Sequence, residues 1–201
     1  MLSHKHKFIF AHIAKTAGSS IEDVLLELHG GNRQKKKEEL LCSINSEGVL
    51  LTHMLARSYL DFKYVSQKEF NSYFKFAFVR NPWARMVSMW KYRQSHGKNE
   101  PFNFFIEFAI YKMHKGDSWF MQQYDYTCDI HGKQLLDFIG RFENLQDDFD
   151  YACGLMGIKR FELPQKNKTK HKPYQEYYTK ELKNLIKENY RDDVELLGYE
   201  F

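Results

Sequence analysis

The chain has little of what staples or punctuates a small fold: 3 cysteines, 4 prolines and 11 glycines among 201 residues. Cys42, Cys128 and Cys153 are odd in number, far apart and without a CxxC pair. That argues against a disulfide scaffold or a zinc ribbon and suits free thiols in a reducing compartment. No apolar stretch approaches the roughly 20 residues needed to cross a bilayer. The N-terminal MLSHKHKF lacks the apolar core of a secretory signal, so the expected location is the cytoplasm. Charge of one sign is also missing: 30 basic against 26 acidic residues leave a net charge of +4, which does not by itself call for nucleic acid. There is no internal repeat.

Hydrophobic residues make up 43% of the chain and aromatics 16%, enough to fill one sizeable core over residues 1–201. Four short segments rich in β-formers read as buried strands: KFIFAHI (7–13), GVLLTHM (48–54), FKFAFVR (74–80) and DFIGRFE (137–143). Helical periodicity lies between them. Ile21, Val24, Leu25 and Leu28 form one stripe, and Pro82 suits the first turn of a helix running through Val87 and Trp90. Residues 102–113, 144–156 and 175–190 also read as helices, and Tyr174, Tyr177 and Tyr178 read as core or helix-packing aromatics. Strands alternating with helices predict an α/β fold, a central parallel sheet flanked by helices in a P-loop-like three-layer arrangement. Two lysine-rich stretches, GGNRQKKKEE (30–39) and QKNKTKHK (165–172), read as solvated loops.

Between the first strand and the first helix stands Lys15-Thr16-Ala17-Gly18-Ser19-Ser20. Helix N-termini following parallel strands present unpaired N–H groups and a positive dipole end, so this stretch reads as an anion cradle. The plainer alternative is a strand–turn–helix with Ser19 or Ser20 as N-cap. The nucleoside-triphosphate pattern G-x-x-x-x-G-K-[ST] is absent, since the lysine precedes the glycine. A second stretch, FAFVRNPWARMVSMW (76–90), places Arg80 at a strand end and Ser88 on the following helix, about 9 Å further along its axis. Arg80 and Ser88 could meet one anion there, or Arg80 could simply pair with a carboxylate.

Together, IAKTAGSS and FVRNPWARMVS resemble the motifs of the membrane-type carbohydrate sulfotransferases. The similarity continues through IGRFENLQDDFDYACGLMGI (139–158) and from Leu163 to Phe201. The resemblance implies a sulfotransferase using the donor PAPS (3′-phosphoadenosine 5′-phosphosulfate), with PAP as product and no metal. By the same resemblance Lys15 relieves charge on the leaving oxygen, and Thr16, Ala17, Gly18, Ser19 and Ser20 hold the 5′-phosphate. Arg80 and Ser88 hold the 3′-phosphate, and Asn167, Lys168, Thr169 and Lys170 belong to a loop closing over the donor. His53, at the end of the predicted 48–54 strand, is the expected base; an imidazole near its ordinary pKa suits proton removal at neutral pH. His12 reads as structural.

The implied acceptor is a hydroxyl-bearing small molecule, most simply a carbohydrate, bordered by Arg57, Arg93 and Gln122 as exposed polar candidates. Many relatives carry an N-terminal membrane anchor and a stem, whereas this sequence begins almost directly at its first strand. The rival readings are a nucleotide or small-molecule kinase and a nucleotide-binding protein without turnover.

Overall fold

A computed structural model describes residues 1–30, 35, 37, 39–42, 51–164 and 172–201. Among these the strands are β1 (Leu2–Ser3), β2 (Phe8–Ala11), β3 (Phe74–Val79) and β4 (Phe138–Arg141). The helices include α1 (Gly18–His29), α2 (Ser58–Asp61), α3 (Gln67–Ser72), α4 (Pro82–Ser95) and α5 (Phe102–His114). They continue with α6 (Leu145–Met156), α7 (Lys180–Asn189) and α8 (Arg191–Glu195). The architecture is mixed α/β, built on a four-stranded sheet flanked by helices. The chain forms two compact units, residues 1–79 with 125–166 and residues 80–124 with 167–201.

The first unit contains the sheet, ordered β1-β2-β3-β4. β2, β3 and β4 run parallel in register Phe10↔Phe76↔Phe138, and β1 pairs antiparallel with β2. Alternation decides the faces, because successive side chains on a strand point oppositely. Phe8, Phe10, Phe76 and Phe78 form one apolar cluster with Ile21, Val24 and Leu25 of α1 and Phe149, Ala152 and Cys153 of α6. Ile9 belongs to a second cluster with Leu51, Met54, Tyr59 of α2 and Phe70 of α3. Ser66 and Glu69 close a reciprocal capping box that starts α3. A buried lysine ties β3 to the start of β4: Lys75 Nζ donates to the Tyr73 carbonyl at 2.7 Å and to Asp137 at 2.9 Å.

The sequence predicts a strand over 48–54, and here the structure differs. Residues 48–50 lie outside the described residues, while Leu51–Met54 are turn and irregular backbone. The edge of β2 away from β3 is taken instead by β1. Leu51 and Met54 are apolar because they pack into the cluster around Ile9, which a strand reading mimics over so short a run.

The described part of the second unit is helical. Pro82 opens α4, and the Asn81 side chain caps it by accepting the Ala84 N–H at 3.1 Å. Trp83 donates to the Lys183 carbonyl at 3.0 Å, and Tyr178 returns a bond to the Trp83 carbonyl at 2.9 Å. Arg85 is fully buried and donates to the carbonyls of Met121 and Trp119. The helix expected over 175–190 divides into a 3-10 turn, Tyr174–Tyr177, and α7, because Thr179 accepts the Leu182 N–H and starts a new helix. Tyr174 and Tyr178 both pack edge-on against Phe201. Among the described residues no helix is long and apolar enough to cross a membrane, and Cys42, Cys128 and Cys153 are buried free thiols.

Candidate active site

β2 ends at Ala11 and α1 begins at Gly18, so Lys15-Thr16-Ala17 lie in the reversal between them and Gly18-Ser19-Ser20 form the first turn of the helix. Two non-glycine residues there, Lys15 and Ala17, hold left-handed backbone with φ of 69° each. Such conformations cost on the order of 1 kcal/mol or more each and persist where the surroundings demand them. Ala17 is the N-cap of α1 and has no side chain able to cap it. Ser20 and Ile21 donate back to the Ala17 carbonyl at 2.9 and 3.2 Å. The N–H groups of Gly18 and Ser19 make no hydrogen bond to another described residue. A helix start of this kind carries donors and a partial positive charge with nothing of its own to satisfy them.

The three hydroxyls of the stretch divide the work unequally. Thr16 is buried and donates to the Ile13 carbonyl at 2.9 Å, holding the turn. Ser20 is buried and donates to the Pro164 carbonyl at 2.7 Å, so it is not the cap that its position suggests. Ser19 is exposed, and Lys15 is half-buried at the same loop. Gly18 has a local reason as well: a Cβ there would overlap the His12 ring at Cδ2, Nε2 and Cγ.

His12 is the hub of the site. Its Nδ1–H donates to Glu22 Oε1 at 2.8 Å, both side chains being largely buried. Its main-chain carbonyl accepts Nδ1–H of His53 at 3.0 Å, and the two imidazoles meet edge to face with centroids 4.6 Å apart. Burial pushes the Glu22 carboxyl upward. The adjacent His12 and its hydrogen bond, with the Met1 amino group and His53, outweigh burial and leave it below its ordinary value. A carbonyl oxygen can only accept, so Nδ1 of His53 carries a hydrogen, and in the neutral imidazole Nε2 holds the lone pair. The cradle and His53 are thus joined through one residue. Arg57 is half-buried rather than exposed, and its carbonyl accepts the Leu60 and Asp61 N–H groups of α2 at 2.9 and 3.0 Å.

In the second unit, Arg80 directly follows β3 and precedes the Asn81 cap. Its main chain is clasped by the buried side chain of Gln123, which accepts the Arg80 N–H at 2.8 Å and donates to the Arg80 carbonyl at 2.8 Å. Gln123 also donates to the buried Asp193 at 3.0 Å, whose other oxygen accepts the Tyr124 N–H at 2.9 Å. Burial raises Asp193 to about 6 against the opposing pull of Arg85 and its hydrogen bonds. Ser88 is buried on α4. Gln123 and Asp193 are absent from the sequence-based assignment; only their neighbour Gln122 was legible as polar.

The expected acceptor candidates Arg93 and Gln122 are half-buried rather than exposed. Arg93 pairs with Glu100 at 2.6 Å and lies over the Phe108 ring, while Gln122 accepts the Asp192 N–H at 3.0 Å. Asn167, Lys168, Thr169 and Lys170 lie outside the described residues. Among the described residues no three His, Cys, Asp or Glu side chains gather as metal ligands would.

An uncharacterized protein of Archaeoglobus fulgidus is 37% identical over 99 residues, covering 47% of this chain and 76% of that relative. No solved structure matches the chain. The profile of the sulfotransferase family matches residues 1–200, cradle, His53 and Arg80 included. The chain belongs to the sulfotransferase family.

Proposed function

We propose that this sulfotransferase moves the sulfuryl group of PAPS to a hydroxyl of a small acceptor, a carbohydrate on the resemblance of its motifs. The observation that carries the reading is the start of α1. Its N-cap has no capping side chain, the Gly18 and Ser19 N–H groups lack described partners, and Lys15 and an exposed Ser19 stand in the same loop. That donor set suits the 5′-phosphosulfate end of the donor.

The step balances as follows. The acceptor hydroxyl oxygen attacks sulfur and forms the new S–O bond, while the bond from sulfur to the bridging oxygen of the 5′-phosphate breaks. The electron pair of that bond stays on the leaving oxygen, where Lys15 and the helix N-terminus offset the charge. The acceptor proton passes to Nε2 of His53. Thr16 and Ser20, committed to Ile13 and Pro164, hold the cradle's shape, and Ala17, Gly18 and Ser19 supply the contacts. Arg80 and Ser88 are assigned to the 3′-phosphate. Asn167, Lys168, Thr169 and Lys170 are assigned to donor closure, both on sequence resemblance, and no step requires a metal.

A thermal-shift panel tests this reading. PAP without magnesium is expected to raise the melting temperature and ATP to leave it nearly unchanged. Stabilisation by Mg-ATP alone would favour a kinase. PAP binding with no transfer from labelled PAPS to any of a broad acceptor panel would favour a nucleotide-binding protein without turnover.

A further inference from the structure

We propose that Glu22, His12 and His53 work as one proton-handling chain, in which Glu22 and His12 are positioning residues for the base. The inference rests on the reading of His53 as that base. Three contacts carry it. Glu22 sits on α1, one turn after Gly18, and fixes the His12 ring through Nδ1 at 2.8 Å. The ring lies against Gly18, where a Cβ would overlap it. The His12 carbonyl then fixes Nδ1 of His53 at 3.0 Å.

These bonds set protonation states as well as positions. A carboxylate and a carbonyl are both acceptors, so each imidazole carries its hydrogen on Nδ1. Free imidazole side chains favour the other tautomer only weakly, and the hydrogen bond made by one ring nitrogen decides which state is held. The neutral His53 ring therefore presents Nε2 as its proton acceptor. When Nε2 takes the acceptor's proton, the new imidazolium stands edge to face with His12, whose Nδ1 is bonded to the Glu22 carboxylate. That carboxylate is the counter-charge. Among the described residues the Met1 amino group also acts on Glu22, and Glu22 in turn acts on the buried Tyr59, with Cys42 beside Met1 and Tyr59. Lys15 stands in the loop between His12 and α1. Of these, Glu22 is in direct hydrogen-bond contact with the His12 imidazole.

Histidine ring-nitrogen NMR on the protein without donor or acceptor tests the chain. Assignments come from His12→Asn and His53→Asn. In wild type, both His12 and His53 are expected as the Nδ1–H tautomer above their titration midpoints. In Glu22→Gln, which keeps an acceptor for His12 but removes the charge, the His53 midpoint is expected to fall by about half a unit or more. The acidic limb of the kcat profile should move with it, and PAP affinity should stay within about twofold. Should Glu22→Gln not fold, Glu22→Asp moves the charge one methylene away and should lower the midpoint by a smaller amount. An Nε2–H tautomer at His53, or a midpoint unmoved in the folded variant, overturns the proposal. Neither outcome depends on PAPS, so failure of PAP to bind wild type would instead strike the sulfuryl-transfer reading.

Discussion

The imidazole of His12 occupies the space that a side chain at position 18 would need. A Cβ at Gly18 would overlap Cδ2, Nε2 and Cγ of that ring, which is itself pinned by Glu22. The glycine between Lys15 and the serines thus has a packing cause that does not require a ligand, and the same packing joins the cradle to His53.

Gly18→Ala follows directly. Because the ring cannot retreat without breaking its bond to Glu22, the substitution should destabilise the fold by about 1–3 kcal/mol, as overpacking does elsewhere. Chemical denaturation measures it. A loss under about 0.5 kcal/mol would mean that the ring moves freely and is no hub.

Lys15→Ala should lower turnover about 100-fold or more, the scale on which removing one donor from a developing oxyanion acts. PAP affinity should change only a few-fold, since the helix N-terminus remains. Single-turnover rates with labelled PAPS check this, and equal rates in both proteins would remove Lys15 from the leaving-group role.

Much of this arrangement could be read from residues alone. The aromatic alternation of FIFA and FKFAFV gave β2 and β3 their faces, and Asn81-Pro82 marked the start of α4. Both signals are local. The parts that could not be read depend on partners distant in sequence. β1 is two residues long and is held by the edge of β2 and by the Leu40 carbonyl, which accepts the Leu2 N–H at 2.8 Å. His53 is held by the carbonyl of His12, 41 residues earlier, and not by a strand of its own. The clasp on Arg80 comes from Gln123 and is braced by Asp193, a contact over 70 residues that no periodicity announces. Likewise Ser20 looks like a cap in sequence, but its hydroxyl is drawn to Pro164.

That clasp predicts a separate loss. Gln123→Ala frees both polar groups of Arg80 and leaves the buried Asp193 short of a donor, costing about 1–3 kcal/mol. Arg80→Ala keeps the clasp and should lose PAP affinity with little change in stability. Calorimetric titration and thermal melts separate the two. If Arg80→Ala binds PAP as wild type does, Arg80 does not hold the 3′-phosphate.

Asp193 also makes stability depend on pH. Its folded value, about 6, lies above the ordinary 3.8, so the native state holds a proton that the unfolded state has released. The contribution is fully present below pH 4 and is lost as pH rises through about 6, on the order of 2–3 kcal/mol at most. The difference in unfolding free energy between wild type and Asp193→Asn should therefore shift in favour of Asp193→Asn between pH 4.5 and pH 7.5. A difference independent of pH would show that Asp193 is ionised throughout.

The most direct test of the whole account is a titration of the isotopically labelled protein with PAP in the absence of magnesium, followed at the backbone amides. The Gly18 and Ser19 N–H resonances are expected to move early and far, with Lys15 close behind, because a phosphate oxygen takes donors that have no described partner in the fold. Saturable PAP binding that leaves Gly18 and Ser19 where they were would contradict it.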